Sequence, residues 1–298
     1  MTFRRTEAGL SNLHIFAGVD VIVFTEGGGG GVTYSVAAAA RGGHSATGHD
    51  VMFWSALFAL LRSDLRVHVR ALGSRKPLDE IAQLVKSDAV SGVVVAKDRD
   101  YDRKFGRFLR HPNVLYTYGY SWENDLYDAR LVVRTFFFLS YLDPRRSKVK
   151  GDVRSIFDDC DRHLRWAVRA DALMCVGGSS LFDRDNPRRF IGTNGHRPYI
   201  RIDQMRRQCR LKRSEIGKFH CISGLGKFNV QRDCFGKLLS ELSYRILFYL
   251  IKKHTHLPSL AKSYAITILM NQFFEMIRDN ENKIKRKYYL TELKKVVS

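Results

Sequence analysis

The stretch Val94-Val95-Ala96-Lys97-Asp98-Arg99-Asp100 decides how this chain is read. Together with Val93 it opens as a short apolar run suited to a buried strand, and it closes on two acids one residue apart. Side chains alternate along an extended chain, so Asp98 and Asp100 are expected on one face at the strand's carboxyl end. Two carboxylates that close repel each other unless a cation or a proton sits between them. In an open α/β sheet, that end of the strands is where ligands bind. The pair therefore points to a divalent-metal site, with a solvated turn after the strand as the plain alternative.

Working outward, Asp20-Val21-Ile22-Val23-Phe24-Thr25 reads as a second buried strand, ending at Glu26. Gly27 to Gly31 follow, and the stretch from there to His49 is rich in Gly, Ala and Ser, which predicts a mobile loop. Asp50 is placed to cap a helix whose body, Val51 to Leu61, is apolar nearly all round and so needs cover on most sides. Val67 to Leu72 alternates as a strand does. Pro77 suits the first turn of a helix running through Leu78 to Lys86, and Tyr101 to Arg110 reads as a basic helix. Val114 to Thr117 is a fourth strand, leading into Tyr120-Ser121-Trp122-Glu123-Asn124. Strands and helices alternating in this way predict an α/β fold with a mostly parallel sheet flanked by helices. Beyond Asp143 the basic run Pro144–Gly151 looks like a boundary. Helical runs at 156–173, 234–253 and 260–278 then enclose a Gly-, Arg- and Lys-rich stretch, 186–227, that has no clear period. The expected domains are an α/β domain over 1–145, with 27–49 as an inserted loop, and a mainly α-helical, basic C-terminal domain over 146–298.

The 298 residues are 45% hydrophobic, enough for a sizeable core, and carry a net charge of +20, with a pI near 9.9. Such a surplus of Lys and Arg predicts a polyanionic partner, nucleic acid before a membrane surface. No apolar run approaches the roughly 20 residues that span a bilayer, and Met1–Ser11 lacks the apolar stretch of a secretory leader. The five cysteines form no Cys-x-x-Cys pair. They suit a reduced, cytoplasmic protein better than a disulfide framework.

Acids stand at three predicted strand ends: Glu26, the Asp98/Asp100 pair, and Glu123. Carboxylate clusters suit Mg²⁺ or Mn²⁺, hard cations that prefer oxygen. Cys and His do not join these acids, and Cys209, His220, Cys221 and Cys234 match no common zinc spacing. Glu123 reads equally well as the cap of a helix starting near Asp125. Gly27–Gly31 lacks the Gly-Lys-Ser/Thr of a phosphate loop. Lys97, Arg99, Arg103 and Lys104 are placed to hold flanking phosphates. Tyr118 and Tyr120 are candidates for stacking an unpaired base, with core packing the alternative for each. Lys218 and His220 are further substrate-contact candidates. The basic run Lys283–Lys295 suits a solvated helix face as well as an RNA contact.

An apolar strand ending in Glu26-Gly27, a βα unit, and a strand ending in Asp98-Arg99-Asp100 resemble the Toprim fold. That fold is shared by topoisomerases, primases and the nucleases of the overcoming-lysogenization-defect group. The match covers about residues 15–130. The Tyr-Ser-Trp-Glu-Asn run at 120–124 and the size of the C-terminal half are similar to the Toprim-like effectors that act beside an ABC-type ATPase in bacterial anti-phage defence, in PARIS systems. The resemblance implies metal-dependent phosphodiester cleavage, with Glu26 as general acid/base or metal ligand. It implies Asp98 and Asp100 as Mg²⁺ ligands, with Glu123 completing the shell. It further implies an endoribonuclease toxin that is held inactive by the ATPase, cuts host transfer RNA when released, and acts as a homodimer. The family passes from Glu-Gly to its helix within a few residues. Here Gly27–His49 intervenes, so Asp50 is not expected as a ligand. The alternatives are a DNA nuclease of the same fold, a non-catalytic basic module that binds nucleic acid or the ATPase, and a nucleotide phosphotransferase.

Overall fold

A computed structural model describes residues 5–28, 31–143, 148–194, 197–212, 214, 227–256 and 259–297. In chain order the first elements are α1 (Arg5–Ala17), β1 (Val21–Thr25), α2 (Val36–Ala40), α3 (His49–Leu61), β2 (Val67–Ala71), α4 (Arg75–Lys86), β3 (Val93–Lys97) and β4 (Val114–Tyr116). There follow α5 (Trp122–Leu126), α6 (Ala129–Ser140), α7 (Val149–Val176), a 3₁₀ turn (Pro187–Phe190), β5 (Ile191–Asn194), β6 (Arg197–Ile200), α8 (Ile202–Leu211), α9 (Val230–Asp233), α10 (Gly236–His254), α11 (Lys262–Arg278) and α12 (Lys283–Leu293). They form two compact units, both discontinuous in sequence. The first is Met1–Arg99, Arg107–Tyr118 and Met276–Ser298; the second is Asp100–Gly106 and Gly119–Glu275. The units thus part at different places from the expected 145/146 boundary, and residues 144–147 of the basic run lie outside the described residues.

The first unit is built on a four-stranded, all-parallel sheet in the order β2-β1-β3-β4. Both faces of such a sheet are covered, which is why the central strands β1 and β3 are apolar runs, while β2 at the edge alternates as Val67-His68-Val69-Arg70-Ala71. Register puts Ile22 and Phe24 beside Val93 and Val95, and Val95 beside Val114. On that face these residues form one core with Leu10 and Leu13 of α1, Ala39 of α2, and Leu78, Ile81, Ala82 and Val85 of α4. Helix α3 packs along β2. Its buried Phe53 and Trp54 meet Tyr289 of α12 with ring centroids 5.8 and 6.0 Å apart. The chain crosses from β1 to β2 in one direction and from β2 to β3 in the other. Right-handed crossovers then put α3 and α4 on opposite faces.

Two expectations for this part of the chain are corrected. The stretch read as a loop is largely irregular over its described residues but includes α2. Ser35 caps α2 by accepting a 3.2 Å hydrogen bond from the Ala38 N–H, Ala39 is buried, and Ser45 and Ala71 exchange two 2.9 Å backbone hydrogen bonds. Small residues make this possible: a Cβ on Gly9 of α1 would lie 2.9 Å from the Ala40 carbonyl oxygen. Gly29 and Gly30 lie outside the described residues. Tyr101–Arg110, in turn, makes only turns and irregular backbone. Gly106 takes φ +68°, a left-handed conformation that ends the incipient helix after one turn.

In the second unit α10 packs on α5, α6 and β6, and α7 packs on α6 and β6. The described residues of the 186–227 stretch contribute the 3₁₀ turn, the antiparallel β5–β6 pair and α8. Among the described residues, no helix is long and apolar enough to cross a membrane.

Candidate active site

Strand β1 is central. The chain leaves it for β2 on one side and returns to β3 on the other, so the carboxyl ends of β1 and β3 flank the topological switch point. Open parallel sheets bind ligands at that crevice, because the loops there diverge to opposite faces. Thr25 pairs with Ala96. Glu26 is the next residue along β1, and Asp98 lies two beyond Ala96 on β3. Both acids are half-buried. The structure therefore sets Glu26 and Asp98 at the ends of neighbouring strands.

Asp50 packs against Gly27, the residue after Glu26. Gly27 takes φ +66°, and a Cβ built on it would lie 2.1 Å from Asp50 Oδ2 and 2.5 Å from Asp50 Cγ. The Asp50 carboxylate thus rests on the Gly27 backbone, in space that only glycine leaves open. Asp50 does not cap α3: Gly48, at φ 135°, holds the N-cap, and Asp50 sits in the first turn, where the helix dipole favours a carboxylate. The signal for this was present in the sequence. A glycine directly after a strand-end acid and an acid opening the next long helix are both there.

Two of the expected phosphate-holding cations are buried instead. Strand alternation turns Lys97 to the α4 face with Tyr116, its register partner. Its side chain is 3% exposed and ion-paired with Asp79. Arg99 lies in an aromatic enclosure, its guanidinium 5.7 Å from the Phe108 ring, 5.9 Å from Tyr118 and 5.3 Å from Tyr288. Its Nη2 donates to Tyr288 Oη at 2.9 Å. Cation–π contact of this kind substitutes for hydration. It makes Tyr118 a wall of the Arg99 enclosure.

Asp100 and Glu123 belong to the second unit. Regular strand stops at Lys97, and Asp100 takes φ 46°, so the two-residue alternation does not extend to it. Its N–H donates to the Tyr120 carbonyl at 2.7 Å. Burial, and then the Asp100 charge, hold the Tyr120 hydroxyl pKa well above its usual range. The Tyr120 ring packs edge-on against Tyr101, with centroids 4.9 Å apart, and is not an open platform. Arg103 is exposed. Lys104 donates to the Lys227 carbonyl at 2.8 Å and lies 4.4 Å over the Phe228 ring. Glu123 is buried in the first turn of α5, whose N-cap is Ser121. The neighbouring Asn124 donates to the carbonyls of Gln231 (3.0 Å) and Cys234 (2.8 Å), and Asp125 accepts from the Gly119 N–H at 2.7 Å. The 120–124 run is therefore a strap that ties α5 to the α9 region. Lys218 and His220 lie outside the described residues.

The second unit also holds a buried network that sequence reading passed over. Asp171 is fully buried. One of its carboxylate oxygens accepts from the N–H groups of Leu181 (2.8 Å) and Phe182 (3.2 Å). The other accepts from Tyr101 Oη (2.9 Å) and Arg184 Nη2 (2.6 Å). Burial works against the Arg184 charge, but Asp171 together with Tyr120, Cys175 and Tyr101 outweighs it and holds the guanidinium pKa above its usual range.

Among the described residues, no three His, Cys, Asp or Glu side chains come together as a metal-holding group. Of the four carboxylates expected to hold the metal, Glu26 and Asp98 lie in the first unit and Asp100 and Glu123 in the second. What the first unit offers at the switch point is carboxylate oxygen from Glu26 and Asp98, with no thiolate or imidazole in the set. Mg²⁺ is commonly held by one or two carboxylates, with waters and substrate phosphate filling its octahedron. This donor set fits Mg²⁺ or Mn²⁺ and does not fit zinc. In sequence comparisons, no family model matches the chain and no curated protein is significantly similar to it.

Proposed function

We propose that the protein is a Mg²⁺-dependent phosphodiesterase, a nuclease whose reaction is carried by Glu26 and Asp98. The observation that carries this reading is the pairing of the two acids at the carboxyl ends of β1 and β3, on either side of the switch point. Asp98 would hold the metal, and Glu26 would hold it or move a proton to or from the reacting oxygen. When bound, Mg²⁺ neutralises charge on the scissile phosphate and makes water a better nucleophile. Asp50, seated against Gly27, fixes the turn that aims Glu26. The net charge of +20 draws a polyanion to the protein. Transfer RNA as substrate, an ABC-type ATPase as inhibitory partner and a role in anti-phage defence rest on the Toprim-like resemblance.

The test is expression of wild-type protein, Glu26→Gln and Asp98→Asn in cells, with total RNA and DNA examined for discrete products. Transfer-RNA fragments with the wild type alone are expected. Plasmid loss with intact transfer RNA would make the protein a DNA nuclease. Toxicity unchanged in both variants would make it a non-catalytic binding module.

A further inference from the structure

The second unit contains a cleft of about 400 Å³ lined by Glu241, Tyr244, Arg245 and Phe248 of α10, together with Arg188 and Lys262. Glu241 is the anchor, with its side chain 3% exposed. It accepts from Arg245 Nε at 2.7 Å and Lys262 Nζ at 2.6 Å, and Arg188 Nε lies 3.6 Å away. Burial alone would raise the Glu241 pKa, but Lys262 and Arg245 outweigh it and hold the carboxyl below its usual range. One carboxylate facing three cations leaves two positive charges over. Both arginines reach Glu241 through Nε. Among the described residues their Nη1 and Nη2 groups have no hydrogen-bond partner. Guanidinium donors held in this way match the oxygens of a phosphate. Tyr244 and Phe248 stand one helical turn apart, with ring centroids 6.2 Å apart and planes 36° apart. Tyr244 is held in place through its hydroxyl, which donates to the Leu260 carbonyl at 3.2 Å.

A bare phosphate would leave most of this cleft empty, and its volume lies in the range of small-molecule sites. Aromatic walls beside a cationic end suit a ligand with both a flat ring and a phosphate. We propose that the cleft binds a nucleoside monophosphate group, with the phosphate on Arg188, Arg245 and Lys262 and the base along Tyr244 and Phe248. The site shares no residue with the Glu26–Asp98 centre and does not depend on hydrolysis there.

The test is calorimetric titration of the full-length protein, without added metal, with AMP, adenosine, inorganic phosphate and a 5′-phosphorylated tetranucleotide. AMP is expected to bind at least about tenfold tighter than either adenosine or phosphate, and Arg245→Gln to weaken AMP at least about tenfold through the loss of charge-assisted hydrogen bonds. Phe248→Leu should shrink the advantage of AMP over phosphate. Arg188→Gln changes a side chain that is 70% exposed, so it gives a folded test protein even if Arg245→Gln melts early. Competition by the tetranucleotide identifies an RNA end as the source of the group; AMP binding without it identifies a free nucleotide. No saturable AMP binding, or binding untouched by Arg188→Gln and Arg245→Gln, overturns the proposal.

Discussion

Gly27→Ala tests the seat of Asp50 against the Glu26–Gly27 turn. At φ +66° an alanine carries the left-handed penalty of about 1–2 kcal/mol. Its Cβ would also lie 2.1 Å from Asp50 Oδ2 and 2.5 Å from Cγ. No contact survives at those distances, so the carboxylate must rotate, and an off-rotamer side chain costs roughly 0.5–1.5 kcal/mol. Together these predict a loss of about 1.5–3.5 kcal/mol for Gly27→Ala. With Asp50→Ala already present the colliding atoms are gone, and only the backbone penalty of about 1–2 kcal/mol remains. The double-mutant cycle should therefore show a coupling of about 1 kcal/mol, read from urea unfolding of the four proteins at one pH. Equal cost of Gly27→Ala in both backgrounds would refute the packing of Asp50 on Gly27. It would also remove the argument that Asp50 fixes the turn aiming Glu26.

Two further predictions concern stability. Asp171→Asn leaves the half-buried Arg184 cation without its counter-charge. It should cost about 3–5 kcal/mol by urea unfolding, with part regained when Arg184→Met is added; a loss below about 1 kcal/mol would contradict the network. Burial lowers the pKa of His49, and burial with the nearby Arg70 and His44 lowers that of His68. The folded pKa values lie below the unfolded value of about 6.5, so the unfolded chain takes up protons first as pH falls. Stability present above about pH 6.5 is then lost on acidification through that window. The melting temperature should drop between pH 7.5 and 5.5, and His68→Gln should shrink the drop; an unchanged drop with His68→Gln and His49→Gln would contradict the assignment.

The four parallel strands were legible because β1, β3 and β4 are compact apolar runs and β2 alternates, and α3 and α4 because one is apolar nearly all round and the other carries Leu78, Ile81, Ala82 and Val85 along one face. Helix α2 was not legible, since Val36-Ala37-Ala38-Ala39-Ala40 has no polar face to give it a period. Lys97 and Arg99 were read as exposed because charge suggests water. Their burial depends on Asp79, and on Phe108, Tyr118 and Tyr288, from distant stretches. Asp171 sits in a helix rich in charge, where an aspartate reads as a surface residue until Tyr101 and Arg184 are brought to it. The discontinuous first unit was hidden for a similar reason. The return of α12 to α3 joins residues more than two hundred apart, beyond the reach of any local pattern. At the candidate site, the strand-end positions of Glu26 and Asp98 were legible; the packing of Asp50 on Gly27 had a signal in the glycine after Glu26 and the acid opening α3, but one that fixes a contact only once β1 and α3 are folded together.

The claim that matters most is that Glu26 and Asp98 perform metal-dependent chemistry. The direct measurement is the initial rate of transfer-RNA cleavage by purified protein, with Mg²⁺ and with chelator, for wild type and Glu26→Gln, alongside RNA binding under the same conditions. The account predicts cleavage by the wild type only with Mg²⁺ and a fall of about 10²-fold or more in Glu26→Gln, with binding retained. Cleavage by Glu26→Gln at the wild-type rate would contradict it.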